Sequence, residues 1–167
     1  MGSLHSYSVE VTWTGAGDTG TSGYTSYSRD HSVHVGGKPD ILASSDPAFR
    51  GDPGRHNPEE LFVASLAQCH MLWFLHMAAA AGVVVTAYED RAVGTMRVEA
   101  AGAGQFTEVE LRPRVTVTVD GTLDPASTVA DLHARAHDHC FISRSVNFPV
   151  HVSPVVHVAA ARTPRPA

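Results

Sequence analysis

Asn57-Pro58-Glu59-Glu60-Leu61-Phe62-Val63-Ala64-Ser65-Leu66-Ala67-Gln68-Cys69-His70 is the stretch whose reading decides the fold. Asn57 can cap a helix, Pro58 suits the first helical position, and the two acids suit the positive helix end. The pattern predicts a helix from here to about Ala81, where Gly82 stops it. Leu61, Phe62, Val63, Leu66, Met71, Leu72, Trp73, Phe74, Leu75 and Met77 cover every face of it, and a helix apolar all round is a buried one. A membrane span is the rival reading, since the stretch is long enough. Against it stand Gln68, His70 and His76 in the middle, and no Lys or Arg at either end. The favoured reading is a central helix buried against a sheet and against a second subunit.

Working outward, Tyr7, Val9, Val11 and Trp13 alternate on one face, which predicts a half-buried strand. Gly15, Gly17 and Gly20 break it, and a second strand-like run over 24–35 ends at Gly36-Gly37, so the two are expected to pair as a hairpin. Residues 43–57, with their prolines, glycines and arginines, read as an ordered loop. Beyond the helix, three more strands are expected. One lies near 83–100, one runs through Val109, Leu111, Val115, Val117 and Val119, and one lies near 148–158. Before the last, Asp124-Pro125 starts a second helix with Val129, Leu132 and Ala136 at helical spacing, and Cys140 continues that face. The expected class is α+β, with antiparallel sheets and two main helices. A single domain is expected over 1–160, with a Pro-rich flexible tail at 161–167.

The chain has 167 residues, 43% of them hydrophobic and 17% charged, with a formal net charge of −5. One core of ordinary size is expected, and without a basic stripe nucleic acid is not an expected partner. No apolar segment near Met1 suggests a secretory signal, so a cytoplasmic location is expected. In a reducing compartment the two cysteines, Cys69 and Cys140, are buried thiols, metal ligands or redox groups. A thiolate at Cys69 would need a cation, for which Arg29, Arg50 and Arg55 are the candidates.

Other motifs carry less. Gly15-Ala16-Gly17-Asp18-Thr19-Gly20 matches the dinucleotide fingerprint, but no helix follows to receive a pyrophosphate, so it reads as a turn. His133 and His137 stand one helical turn apart with His139-Cys140 beyond, a set that zinc could use. Eleven histidines make chance pairs common, no CxxC or HExxH is present, and no metal is assigned. Cys69 with His70 as a hydrolase pair is disfavoured, because adjacent helix residues point about 100° apart.

Asn57-Pro58-Glu59-Glu60-Leu61, with Cys69 ten residues after Glu59, resembles the first signature of the OsmC/Ohr family, the osmotically inducible and organic hydroperoxide resistance proteins. Cys140-Phe141-Ile142-Ser143, between a helix and a final strand, is similar to the second. The resemblance implies an intertwined homodimer with long central helices packed against sheets. It implies that Cys69 is the peroxidatic cysteine, that Cys140 resolves it, and that Glu59 is the helix-start glutamate that holds a catalytic arginine. For that arginine Arg29-Asp30 matches one branch, and Arg50 lies nearer its place in the other. One departure is Phe141, where the family often has proline.

The resemblance thus implies a thiol-dependent peroxidase, without metal or organic cofactor, that reduces organic hydroperoxides to alcohols. The oxidised Cys69 would pair with Cys140, and a dithiol, a lipoyl group being one candidate, would reduce the disulfide. Trp73, Phe74 and Phe141 are candidate walls for an alkyl or aryl tail. The alternative is a peroxide-sensing or small-molecule-binding protein of the same fold without efficient turnover. Ten residues of helix span about 15 Å, so a Glu59 acting at Cys69 is expected to come from a second chain across a two-fold axis.

Overall fold

The computed structural model describes residues 2–118 and 124–159. The tail expected at 161–167 and the end of the run at Val119 lie outside the described residues. The backbone forms two compact units, residues 1–62 and 63–167.

In the first unit, β1 (Glu10–Trp13), β2 (His31–His34) and β3 (Ile41–Ala43) form an antiparallel sheet in that order. β1 and β2 pair as expected, Glu10 opposite His34 and Trp13 opposite His31. The glycine-rich link turns and starts no helix. Gly20 N donates to Ala16 O, and Gly17 and Gly20 take φ values of 55° and 54°, backbone that glycine adopts without strain.

Three expectations are corrected here. The second strand is shorter than 24–35, because Tyr24–Tyr27 turn, and Arg29 holds the turn by donating to the carbonyls of Tyr24 and Tyr27 at 2.9 and 2.8 Å. β3 was not anticipated, since three residues are too few for an alternation to show. The first strand is shorter than the alternation from Tyr7: β1 begins at Glu10, and Tyr7 and Val9, 89% and 58% exposed, lie before it.

The helix start is a reciprocal cap. Glu60 N donates to Asn57 Oδ1 at 2.8 Å, and Asn57 N donates to Glu60 Oε2 at 3.2 Å, so two donors that the first turn leaves orphaned are satisfied. Helix α1 (Pro58–Ala80) follows, and it ends at Gly82, whose φ of 73° only glycine takes freely. Within the single chain one face of α1 is buried, and the face expected to meet a second subunit is not tested by it. Only the stripe Leu66, His70, Phe74, Met77 and Ala78 is buried, and Leu72 is 60% exposed. The helix is long and apolar enough to cross a membrane by length and composition, yet its stripe is part of the core of the second unit.

That unit holds two three-stranded sheets. One has the order β4 (Val84–Asp90), β7 (Pro113–Thr118), β9 (Val155–Val158). The other has the order β5 (Val93–Val98), β6 (Gly104–Leu111), β8 (Val150–Val152). Each of the three expected runs therefore breaks in two and changes sheet at the break. Arg91-Ala92, Arg112-Pro113 and Ser153-Pro154 are the corners. Proline has no N–H for the ladder, so it sits at a strand start or between strands. The sheets are mixed, not purely antiparallel: β6 pairs β8 and β7 pairs β9 in parallel.

Helix α2 (Pro125–His139) starts as expected, with Asp124 accepting from Ser127 N. Its stripe Val129, Leu132, His133 and Ala136 meets Phe74, Met77 and Ala78 of α1 and Val115 and Val117 of β7 in one core. Inside it, His70 Nε2 and His133 Nδ1 share a hydrogen bond of 2.9 Å, one ring donating and the other accepting. Phe74 stacks on His133 at 4.0 Å. Burial, with a smaller effect from His137, lowers His70 to about 4. Burial, with a smaller effect from His70, lowers His133 to about 3.

Two outcomes are expected. Asn57→Ala should lower stability by about 1 kcal/mol in chemical unfolding while Asn57→Asp, which keeps the acceptor, stays close to wild type. Because both rings stay neutral in the fold but not in the unfolded chain, the unfolded state binds more protons between pH 6.5 and about 4. Stability should thus fall with decreasing pH in that window, by roughly 1 kcal/mol per unit per ring. A thermal midpoint that is flat over this range, or no flatter in a His70→Leu, His133→Leu double variant, would contradict the assignment.

Candidate active site

Cys69 precedes His70 on α1, so it points about 100° away from the buried stripe and is half-buried. Cys140 extends the stripe of α2 and is fully buried. It ends the helix, with φ −65° and ψ 110° and its N–H donating to His137 O. The register of the two stripes brings the thiols near one another, so that Cys140 acts on Cys69, and both are free.

Burial pushes the Cys69 thiol above its ordinary value. The backbone of Ile142 opposes this, the Cys140 thiol adds to the rise, and the backbone of Phe141 opposes it again. None of these groups is a cation. Ser143 N donates to Cys140 Sγ at 3.5 Å.

The expected substrate walls separate into two kinds. Phe74 has no exposed surface, stacks on His133 and meets Tyr88 at a tilt in the core, so it offers nothing to a ligand. Trp73 is half-buried and meets Phe141 edge-on at 5.4 Å, His139 at 5.2 Å and His76 at 5.8 Å. Phe141 is 65% exposed. These two rings make an open aromatic ledge.

In the first unit the candidate cations differ in commitment. The Arg29 guanidinium lies over Tyr24 and Tyr27 at 4.4 and 4.2 Å, besides its two carbonyl bonds. Arg55 faces Asp30 at 3.7 Å and Asp52 at 3.5 Å. Arg50 is exposed and, at φ 67°, is the one non-glycine with positive φ among the described residues. Asp46 accepts from Phe49 N and Gly51 N, and Pro47 from Arg50 N. A Cβ at Gly51 would meet the Ser45 carbonyl oxygen at 1.5 Å. This tight loop holds Arg50 in a conformation costing on the order of 1 kcal/mol. Glu59 is half-buried in the first turn of α1.

Of the histidines weighed for zinc, His133 is committed to His70, and no group of three or more His, Cys, Asp or Glu is arranged for a metal among the described residues. Two features of the site escaped the sequence reading. The His70–His133 bond had a signal: His70 is four residues from both Leu66 and Phe74, and His133 is four from Val129, so each falls on an apolar stripe. The sulfur-facing amide of Ser143 had none, because backbone donors carry no letter.

A family model described as OsmC-like protein matches residues 51–154. An OsmC-like protein of unknown function from Vibrio cholerae is 36% identical, with a TM-score of 0.79 over 91% of this chain and 100% of that one. An organic hydroperoxide resistance protein OsmC from Legionella pneumophila shares the fold at 18% identity and a TM-score of 0.66, over 93% of this chain and 98% of that one. The organic hydroperoxide resistance protein OhrB of Bacillus subtilis does so at 19% and 0.56, over 90% and 98%. No curated protein matches the chain. The match over most of the domain and the identity to a whole OsmC-like chain establish that this protein belongs to the OsmC/Ohr family.

Proposed function

We propose that the protein is a thiol-dependent peroxidase that reduces organic hydroperoxides to alcohols. The observation that carries this reading is the nearness of a half-buried thiol and a fully buried one at the meeting of the two helices. Cys69, the more accessible, attacks the distal oxygen as the thiolate. The O–O bond breaks, the alkoxide takes a proton and leaves as alcohol, and Cys69 is left as a sulfenic acid. The Cys140 thiol then displaces water to form a Cys69–Cys140 disulfide. A dithiol, such as a lipoyl group, reduces it and is itself oxidised to a disulfide. No metal or organic cofactor takes part.

The aromatic ledge of Trp73 and Phe141 favours an alkyl or aryl tail over hydrogen peroxide. For the activating cation we assign Arg50 ahead of Arg29, because its guanidinium has no hydrogen-bond or ion-pair partner among the described residues and its backbone is held in a strained form. Glu59 would act from a second chain of a homodimer, since the unbroken helix puts it about 15 Å from the Cys69 of its own chain. A cytoplasmic setting, with its supply of reduced dithiols, suits this cycle.

Consumption of cumene hydroperoxide with dihydrolipoamide should be abolished in Cys69→Ser and exceed that of hydrogen peroxide in the wild type. Mass spectrometry after one equivalent of peroxide should find Cys69 joined to Cys140. A wild type that forms the disulfide without turnover would support the sensing alternative; Cys69 over-oxidised beside a free Cys140 would remove the resolving role. Alkylation of Cys69 should rise with pH, as for any thiolate nucleophile. At neutral pH it should slow about tenfold or more in Arg50→Ala, with a smaller change in Arg29→Ala. The reverse ranking would move the role to Arg29.

A further inference from the structure

Cys140 sits between two rings that lie against the same side chain. Helix α2 ends on His139, Cys140 continues in extended backbone at φ −65° and ψ 110°, and Phe141 follows. Along extended backbone neighbouring side chains point to opposite sides, which sends 139 and 141 one way and 140 the other. The burial agrees: His139 and Phe141 are exposed, while Cys140 has no exposed surface. Both outer rings end on Trp73 of α1. Phe141 meets the indole edge-on at 5.4 Å and 83°, and His139 meets it at 5.2 Å and 48°. His76, three residues along α1, stands edge-on to the same indole at 5.8 Å. Trp73 is itself four residues beyond Cys69, hence on the same face of α1.

Neither arm is loose. His139 Nδ1 donates to Arg135 O at 2.8 Å; a carbonyl only accepts, so the proton sits on that nitrogen and the direction of the ring is fixed. Phe141 O accepts from Ser145 Oγ at 2.8 Å and Cys140 O from Arg144 N at 3.0 Å, which braces the turn from behind.

We propose that Trp73 is a positioning residue for Cys140, gripping the rings on either side of it and so holding the thiol in its inward direction. The inference deepens the peroxidase reading and rests on it for its purpose. In that reading the Cys140 sulfur attacks the sulfur of the Cys69 sulfenic acid. The S–S bond forms, the S–O bond breaks, and the Cys140 proton leaves with the hydroxyl as water. A thiol swung away leaves the sulfenic acid to a second hydroperoxide, which gives up an oxygen to make the sulfinic acid and departs as alcohol. The first alcohol has left before either fate is decided, so this role is separate from any grip of the aromatic ledge on a substrate tail.

The test reads Cys140 first without peroxide. In a Cys69→Ser background Cys140 is the sole cysteine, and its alkylation by iodoacetamide requires local opening of the turn. His139→Ala and Phe141→Ala should each speed alkylation by about threefold to tenfold, the usual worth of an aromatic pair, and Trp73→Leu by more than either. His139→Phe, which keeps a ring for the indole but loses the bond to Arg135, should stay close to wild type. Circular dichroism and urea unfolding separate local opening from loss of the fold; where Trp73→Leu fails to fold, the two exposed positions carry the test. A rate within about twofold of wild type in either alanine variant, or no rescue by His139→Phe, would overturn the clasp. The second readout is the fate of Cys69 in chains that keep both cysteines. At a fixed excess of cumene hydroperoxide, His139→Ala should raise the ratio of sulfinic acid to disulfide by about threefold to tenfold in mass spectrometry, with His139→Phe restoring it. Faster alkylation with an unchanged ratio would overturn the positioning role; faster alkylation in a protein that forms neither product would leave the clasp standing and remove the peroxidase reading.

Discussion

Where α1 meets α2, two neutral imidazoles have no hydrogen-bond partner but each other among the described residues. His70 and His133 are both buried, and each needs a hydrogen bond that only the other supplies; leaving either polar ring unpaired in the core would cost on the order of 1–3 kcal/mol. The bond is directional, where the surrounding contacts of Phe74, Met77, Val129 and Leu132 are not. It admits one sliding register of the helices. Cys69 is the neighbour of one ring and Cys140 lies two turns beyond the other, so the nearness of the thiols is a consequence of that register.

The same burial that secures the register works against reactivity. A thiol at the edge of a dry core resists ionisation, and the neighbouring thiol makes the resistance greater. The backbone of Ile142 and Phe141 opposes it. In the function proposed above a guanidinium adds a full charge, and Arg50, held in a strained backbone form, is the candidate for that part.

The parts of this protein legible in its sequence are those written by periodicity and caps. Asn57-Pro58 and Asp124-Pro125 mark both helix starts to the residue, and Gly82 marks the end of α1. The three long apolar alternations were visible as runs, but their corners were not, because a change of sheet keeps the same two-residue period on either side of Arg112 or Ser153. The short sheet of the first unit was half legible: β1 and β2 announced themselves, while three-residue β3 could not. At the site the cysteines were legible as letters in a familiar spacing. The strain at Arg50 was not, since it is a property of backbone geometry.

The corner-turning strands have a consequence for how the chain reaches its fold. β6 and β7 find their parallel neighbours in β8 and β9, some forty residues later along the chain, with Val109 against Val150 and Val117 against Val158. Emerging from a ribosome, the two sheets would each wait with an open edge until the last strands arrived. Contacts this distant in sequence are slow to form, and open edges are templates for other chains. For this protein the vulnerable interval of synthesis is its end, when helix α2 and both sulfurs are already outside but the segment that closes the sheets is still being made.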